Sequence, residues 1–330
     1  MKIEVITGSR LHFGLICGTP RTGWQFGGAG LMLRQPAWHV TVVPEPSGHD
    51  RIRAASETAQ RVADFLQKIR LSTRLPAVNV SVTSEVPFHT GLGAGTQLGL
   101  AIASAAETLM GHHGFQEPYR LAELTQRAER SAIGSAGFRD GGFLIDHGLP
   151  EALNEPRQVE RILIPESWRF VLVCPAHAQG LCGDQERSFF DRQIPMPDAL
   201  VASLAEQITE RWIPSIRHQD FQEFAFSLED YGKKVGEFYA TEQGDVFAHP
   251  EIRKLVHSLK AQGIHGSAQS SWGPGICIPA RSAVHAQVIA DSVSASTGHT
   301  EFIVQVSSPL NTGATIRISG RELRDGCSLA

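Results

Sequence analysis

The stretch PFHTGLGAGTQLGLAIASAA, Pro87–Ala106, runs a glycine-dense turn into a helix of small apolar residues with no charged side chain inside it. Glycine permits backbone geometries closed to other residues, and the first turn of a helix leaves its N–H donors without intrahelical acceptors. Donors aimed one way, added to the positive end of the helix dipole, make an anion site without a lysine. A tight strand-to-helix turn that binds nothing has the same local pattern. The rest of the chain decides between them.

Upstream, Val78–Thr83 alternates as a half-buried strand, and Glu57–Ile69 carries Val62, Phe65, Leu66 and Ile69 at helical spacing. Trp38–Val43 alternates as a strand, Thr22–Gly30 (TGWQFGGAG) reads as a glycine-rich loop, and Ile3–Thr7 continues through Arg10–Ile16 as a first strand. Downstream, Thr96–Met110 is so rich in Ala and Leu that it must be buried on most sides. Pro118–Arg130 reads as a helix, Ser131–Gly142 as a second glycine-rich loop, and Phe143–Asp146 as a strand. The proline-bearing segment Leu149–Pro165 divides the chain into halves, 1–155 and 156–330. In the second half, strands are expected at Arg169–Cys174, Ile276–Pro279 and Glu301–Val306. Helices are expected at Pro197–Trp212, Phe221–Phe238, Pro250–Gln262 and Arg281–Ala295, with a third glycine-rich loop at His265–Gly275. The order is α+β, and the loops near residues 91, 137 and 273 sit at strand–helix junctions, where they are expected to gather in one cleft.

With 330 residues, 42% hydrophobic and 19% charged, the chain is globular rather than disordered. A net charge of -4 argues against a general nucleic-acid or anionic-membrane binder, so any bound polyanion must be held by local donors. Cys17, Cys174, Cys182, Cys277 and Cys327 form no CxxC pair and are odd in number, which suits a reducing cytosol without a disulfide framework or structural zinc. IEVIT follows Met1-Lys2 directly, with no signal-peptide pattern and no apolar run of spanning length, so a cytoplasmic, soluble chain is expected.

In GLGAGTQ, the candidate anion-binding residues are Gly91, Leu92, Gly93, Ala94, Gly95, Thr96 and Gln97. Amides from Gly93 to Gln97 are placed to wrap a diphosphate, and the Thr96 hydroxyl to touch a phosphate or a Mg²⁺. A Walker loop would need a GK[ST] ending, and a Rossmann turn an acidic residue after the next strand; neither is here. The segment resembles the phosphate loop of the GHMP kinase superfamily. Together with SRLHFGLI near the start and QSSWGP (Gln269–Pro274), it resembles one non-kinase branch, the β-ribofuranosylaminobenzene 5′-phosphate synthases. The resemblance implies a two-lobed GHMP-kinase-like fold, with a ribosomal protein S5 domain 2-like N-terminal lobe and an α/β C-terminal lobe. It further implies Mg²⁺ without ATP or pyridoxal phosphate, and a homodimer in methanopterin-type cofactor synthesis.

Kinases of the superfamily carry Ser-Gly-x-Asp in the second loop, where this chain has Ala136-Gly137-Phe138-Arg139, an arginine standing where the aspartate should be. Arginine cannot accept a proton from a hydroxyl and instead holds anions; Asp140 follows one position later. The resemblance therefore implies condensation of phosphoribosyl pyrophosphate with 4-aminobenzoate or 4-hydroxybenzoate, releasing CO₂ and pyrophosphate. Arg10, His12, Arg139 and Asp140 are the expected catalytic positions. Arg10 or Arg139 would hold the 5′-phosphate or the benzoate carboxylate. Gln269, Ser270, Ser271 and Trp272 would take the aromatic ring, and Glu129 with Thr96 the metal. An ATP-dependent kinase of a small alcohol, or a silent binding protein on the same fold, are the alternatives. Asp184 and Glu186 read as acids at a helix start or as part of a loop over the cleft. His112, His113 and His147 lack ligand spacing and read as structural.

Overall fold

The computed structural model describes residues 1–112, 117–127, 130–150, 157–178, 192, 194–296, 301–319 and 321–323. The first strand, β1 (Ile3–Cys17), is long because apolar residues alternate along it on both sides of a polar centre. It pairs antiparallel with β2 (Gln25–Pro44) through register shifts between Gly8 and Ser9 and between His12 and Leu15. β2 also pairs β4 (Val78–Ser84) and β5 (Phe143–Asp146), and the short β3 (Arg51–Arg53) lies parallel to β4. Among the described residues, four helices, α1 (Ser56–Ser72), α2 (Ala94–Leu109), α3 (Pro118–Thr125) and α4 (Ile133–Asp140), belong to this part. α2 packs against β1, β2 and the other three helices. Thirteen of its residues are buried, in keeping with its Ala and Leu content.

The second half opens with β6 (Val159–Ile162) and β7 (Arg169–Pro175). Helix α5 (Asp198–Glu206) follows, continuing through a π-helical segment, Gln207–Trp212, into α6 (Ile213–Arg217). α7 (Phe221–Gln243) and α8 (Pro250–Ala261) precede β8 (Ala268–Gln269) and β9 (Ile276–Ala280). After α9 (Ala283–Ser296) come β10 (Phe302–Ser307), β11 (Thr315–Ile318) and β12 (Arg321–Leu323). A four-stranded sheet runs β10-β7-β9-β8, while β6, β11 and β12 join the first, eight-stranded sheet. The boundary at 155/156 therefore does not divide the sheets. One hydrophobic core crosses it: Trp212 sits with its ring centroid 5.7 Å from Phe13 and from Phe143 and 4.6 Å from Tyr231.

Three expectations change. Thr22–Gly30 is not a loop, since β2 begins at Gln25. Its glycines serve close backbone approach, a Cβ on Gly28 falling 2.6 Å from the Gly14 carbonyl and one on Gly30 2.5 Å from that of Leu11. Ser131–Gly142 is mostly helix α4, not a glycine loop. A Cβ on Gly137 would lie 2.5 Å from Met32 Sδ, so this glycine lets helix and sheet close together. The helix expected over Pro118–Arg130 stops at Thr125, because Gln126 turns left-handed (φ 53°) and its N–H caps the Ala122 and Glu123 carbonyls.

Candidate active site

β1, the 87–97 turn, the segment after α3, α7 and the 269–275 loop enclose one cavity of about 680 Å³. Trp38 fixes the start of α2 by donating its indole N–H to the Ala94 carbonyl at 3.0 Å. Gly93 caps the helix in the left-handed region (φ 67°), a conformation that favours glycine. Gln97 is the first residue whose N–H finds a helical acceptor, the Gly93 carbonyl at 3.1 Å. The amides of Ala94, Gly95 and Thr96 precede that ladder and line the cavity.

Cationic side chains surround these amides. Arg10, Arg61, Lys68, Arg127 and Arg130 all line the cavity, and no Asp or Glu does among the described residues. Arg10 lies against the cap, so that a Cβ on Gly93 would sit 3.0 Å from its Nε, and its backbone N–H holds the Leu92 carbonyl at 2.9 Å. Arg127 covers the first helical turn, its Nη2 3.5 Å from where a Gly95 Cβ would be. Its guanidinium lies 5.4 Å from the Phe65 ring centroid, and Lys68 Nζ lies 6.0 Å from the same centroid. Arg61 stacks on Phe88 at 4.3 Å and meets His89 Nε2 at 3.1 Å. In a chain of net negative charge this is a locally positive, half-enclosed site for a polyanion.

A second part of the lining is apolar: Phe13, Leu15, Val235, Tyr239 and Trp272. Trp272 is 7% exposed and meets Tyr239 edge-on, 5.0 Å between centroids. The Tyr239 hydroxyl donates to the Leu15 carbonyl at 2.9 Å, and burial beside Cys17 pushes its pKa well above the usual tyrosine value. This wall offers aromatic surface rather than a titrating group.

His12 joins the two walls. Its backbone N–H donates to Ser270 Oγ at 3.1 Å, and its carbonyl accepts from Ser271 N–H at 2.7 Å. Nδ1 accepts from the Gly14 N–H at 3.2 Å, so the ring proton sits on Nε2, 3.0 Å from Ser131 Oγ. Burial, reinforced by the charges of Arg10 and Arg157, holds the imidazole well below its ordinary pKa. His12 is therefore neutral at physiological pH.

Arg10, His12, Gly91–Thr96, Gln269, Ser271 and Trp272 thus line one cavity. Others go elsewhere. Arg139 and Asp140 pair with each other (Nη2 to Oδ2, 2.6 Å) at the exposed end of α4, outside the cavity lining. The reason is the helical path of 133–140, which points their side chains away. Gln97 is fully buried. It accepts from Thr7 Oγ1 at 2.7 Å and donates to the Gly134 carbonyl at 2.8 Å, tying α2 to β1 and α4. Ser270 is buried too, its hydroxyl donating to the Gly91 carbonyl at 2.7 Å. The Gln269 amide is engaged by Ala248 N–H, Gln243 Oε1 and the Ser271 carbonyl, so it shapes the wall rather than meeting a ring substituent. Glu129, Asp184, Glu186 and His113 lie outside the described residues. His112 pairs with Glu107 at 3.3 Å away from the cavity, and His147 packs on Trp24. Cys17, Cys174 and Cys277 are free thiols, and Cys182 and Cys327 lie outside the described residues. No helix is long and apolar enough to cross a membrane among the described residues.

Two clasps hold the cavity together. Ser270 joins the phosphate-type turn to β1, and a buried pair orders the segment after α3. Asp146 accepts from Ala132 N–H (2.7 Å), Gly148 N–H (3.1 Å) and Arg157 Nε and Nη2 (2.8 and 2.7 Å), while Arg157 also donates to the Arg130 carbonyl at 2.6 Å.

The GHMP kinases N terminal domain family matches residues 57–143, the segment from α1 to the start of β5. The β-ribofuranosylphenol 5′-phosphate synthase of Methanothermobacter thermautotrophicus is 29% identical over 84% of this chain and 88% of its own length. The enzyme of the same name from Archaeoglobus fulgidus is 27% identical over 68% and 74%. The chain is an enzyme whose 57–143 segment is a GHMP kinases N-terminal domain. A solved homoserine kinase from Cytophaga hutchinsonii shares the GHMP fold at a TM-score of 0.64, with 14% identity across 96% of this chain and 97% of that one.

Within this GHMP fold, Gly91 (φ 84°) abuts the 269–275 loop so closely that a Cβ would fall 2.2 Å from the Ser270 carbonyl oxygen. Gly91→Ala must push the two loops apart, and kcat/KM is expected to fall by at least about 100-fold. Steady-state kinetics beside a thermal melt checks this; turnover within threefold of the unaltered chain would contradict it.

Proposed function

We propose that this enzyme joins a phosphorylated, diphosphate-activated ribose to a para-substituted benzoate, phosphoribosyl pyrophosphate with 4-aminobenzoate or 4-hydroxybenzoate, releasing CO₂ and pyrophosphate. One observation carries the reading: a single cavity is lined both by the start of α2 with five cationic side chains and by the aromatic side chains of Tyr239 and Trp272. The diphosphate seats on the α2 amides between Arg10 and Arg127. As the ribose C1–oxygen bond breaks, negative charge grows on the leaving diphosphate where these donors already point. Trp272 and Tyr239 hold the acceptor ring, whose carboxylate-bearing carbon is made nucleophilic by the para substituent. That carbon bonds to ribose C1 with inversion, and loss of the carboxylate as CO₂ returns its bonding electrons to the ring and restores aromaticity. The second anionic group of the sugar, its 5′-phosphate, falls to Arg61 and Lys68, which line the same cavity. The relatives' name contains a phenol, the ring left when 4-hydroxybenzoate loses its carboxylate.

Mg²⁺ would neutralise part of the diphosphate charge. Among the described residues no group of three or more His, Cys, Asp or Glu could hold a metal; of the two expected ligands, Thr96 lines the cavity and Glu129 lies outside the described residues.

Incubation with phosphoribosyl pyrophosphate and either benzoate, with Mg²⁺ and with chelator, tests the reading. Equal amounts of CO₂ and pyrophosphate are expected. ATP consumption with small alcohols, and no CO₂, would replace it with a kinase; tight binding without turnover would replace it with a binding protein.

A further inference from the structure

Ser131 stands at the junction of the two walls and has a constrained hydroxyl. Its Oγ lies 3.0 Å from His12 Nε2, which carries the ring proton because Nδ1 is occupied by the Gly14 N–H. The same Oγ accepts the Ile133 N–H at 3.3 Å. A serine oxygen has two lone pairs, and both are then engaged, leaving one O–H to donate. Ser131 lines the cavity along with Arg10 and Arg130, and the Asp146–Arg157 clasp fixes the backbone on either side of it. A hydroxyl that can only donate is matched to a group that presents an acceptor lone pair.

We propose that Ser131 is a binding residue whose hydroxyl donates to a phosphate oxygen of the substrate's diphosphate, and that neutral His12 is the positioning residue that aims it. The assignment rests on the phosphosugar reading above. It favours phosphate over the benzoate carboxylate because the neighbouring charges belong to the cationic end: Arg10 lies two residues from His12 on β1, and Arg130 precedes Ser131. His12 acts here through a fixed N–H, not by passing a proton.

Calorimetric titration of the full chain with inorganic pyrophosphate, and separately with 4-aminobenzoate, decides the matter. Hydrogen bonds to charged groups predict that Ser131→Ala weakens pyrophosphate binding about 10-fold or more and leaves 4-aminobenzoate binding unchanged. Ser131→Cys, with a weaker donor of similar shape, falls between. His12→Leu weakens pyrophosphate binding as Ser131→Ala does, and the double variant is no weaker than either single one, because both remove the same bond. His12→Gln, which places an amide N–H near the position of Nε2, recovers most of the loss. A purely structural role would give additive losses and no recovery with Gln, and that result would overturn the proposal. So would Ser131→Ala binding pyrophosphate within twofold of the unaltered chain, or losing affinity for 4-aminobenzoate instead. Failure of the unaltered chain to bind pyrophosphate at all would remove the phosphosugar reading itself.

Discussion

Arg10→Ala is expected to lower kcat/KM for pyrophosphate release by about 100- to 1,000-fold, the cost of removing one donor aimed at developing oxyanion charge. The position makes the effect large. Arg10 sits on a strand fixed by pairing on both sides of its bulges, with Met32 opposite it in the ladder. Its backbone holds Leu92 while its side chain lies against the Gly93 cap, so strand and turn define one geometry for the guanidinium. Such a donor needs no reorganisation as charge moves onto the leaving group. Arg10→Lys keeps the charge but not the planar fork, and should recover only part of the loss. Steady-state kinetics on all three proteins, with pyrophosphate affinity measured in parallel, separates ground-state binding from transition-state stabilisation. A loss under threefold for the alanine variant would move the diphosphate away from the α2 amides.

Asp146→Asn should be the most destabilising single substitution around the site, by about 3–5 kcal/mol, because it leaves Arg157 buried opposite a neutral amide. The carboxylate is fully buried, the Arg157 side chain 10% exposed, and four donors converge on the two carboxylate oxygens. An amide keeps one acceptor oxygen and turns the other position into a donor facing donors. Chemical denaturation measures the loss directly. The same substitution should raise KM for the phosphosugar, since Ala132 and the Arg130 carbonyl both depend on this clasp and the segment between them presents Arg130 and Ser131. A stability change below about 1 kcal/mol would mean that the carbonyls receiving Arg157 suffice without the aspartate.

Local chemistry decided what could be read from the chain alone. The 87–97 turn, the Arg10/His12 pair and Trp272 were legible because their signals lie within a few consecutive residues. Glycines at 134 and 137 misled because a helical glycine admitting a neighbour and a loop glycine turning the chain look alike in one dimension. The cations Arg61, Lys68, Arg127 and Arg130 were invisible for another reason. Arg61 and Lys68 read as the polar face of an amphipathic helix, and Arg127 and Arg130 as the tail of another. Arg127 leaves the helical path because Gln126, a non-glycine residue, turns left-handed and ends α3 there. Ser270 and Gln269 belong to the loop that carries Trp272, but their hydrogen bonds give them structural work.

Strand β1 touches both ends of the cavity: Arg10 reaches the helix cap, while the main chain of His12 anchors the loop that carries Trp272. An engineer wishing to change the aromatic acceptor while keeping the sugar would leave that strand alone. Val235 and Tyr239 on α7 are the places to begin, since they border the ring-facing surface from a separate helix. Selectivity for the two partners could then be altered one at a time.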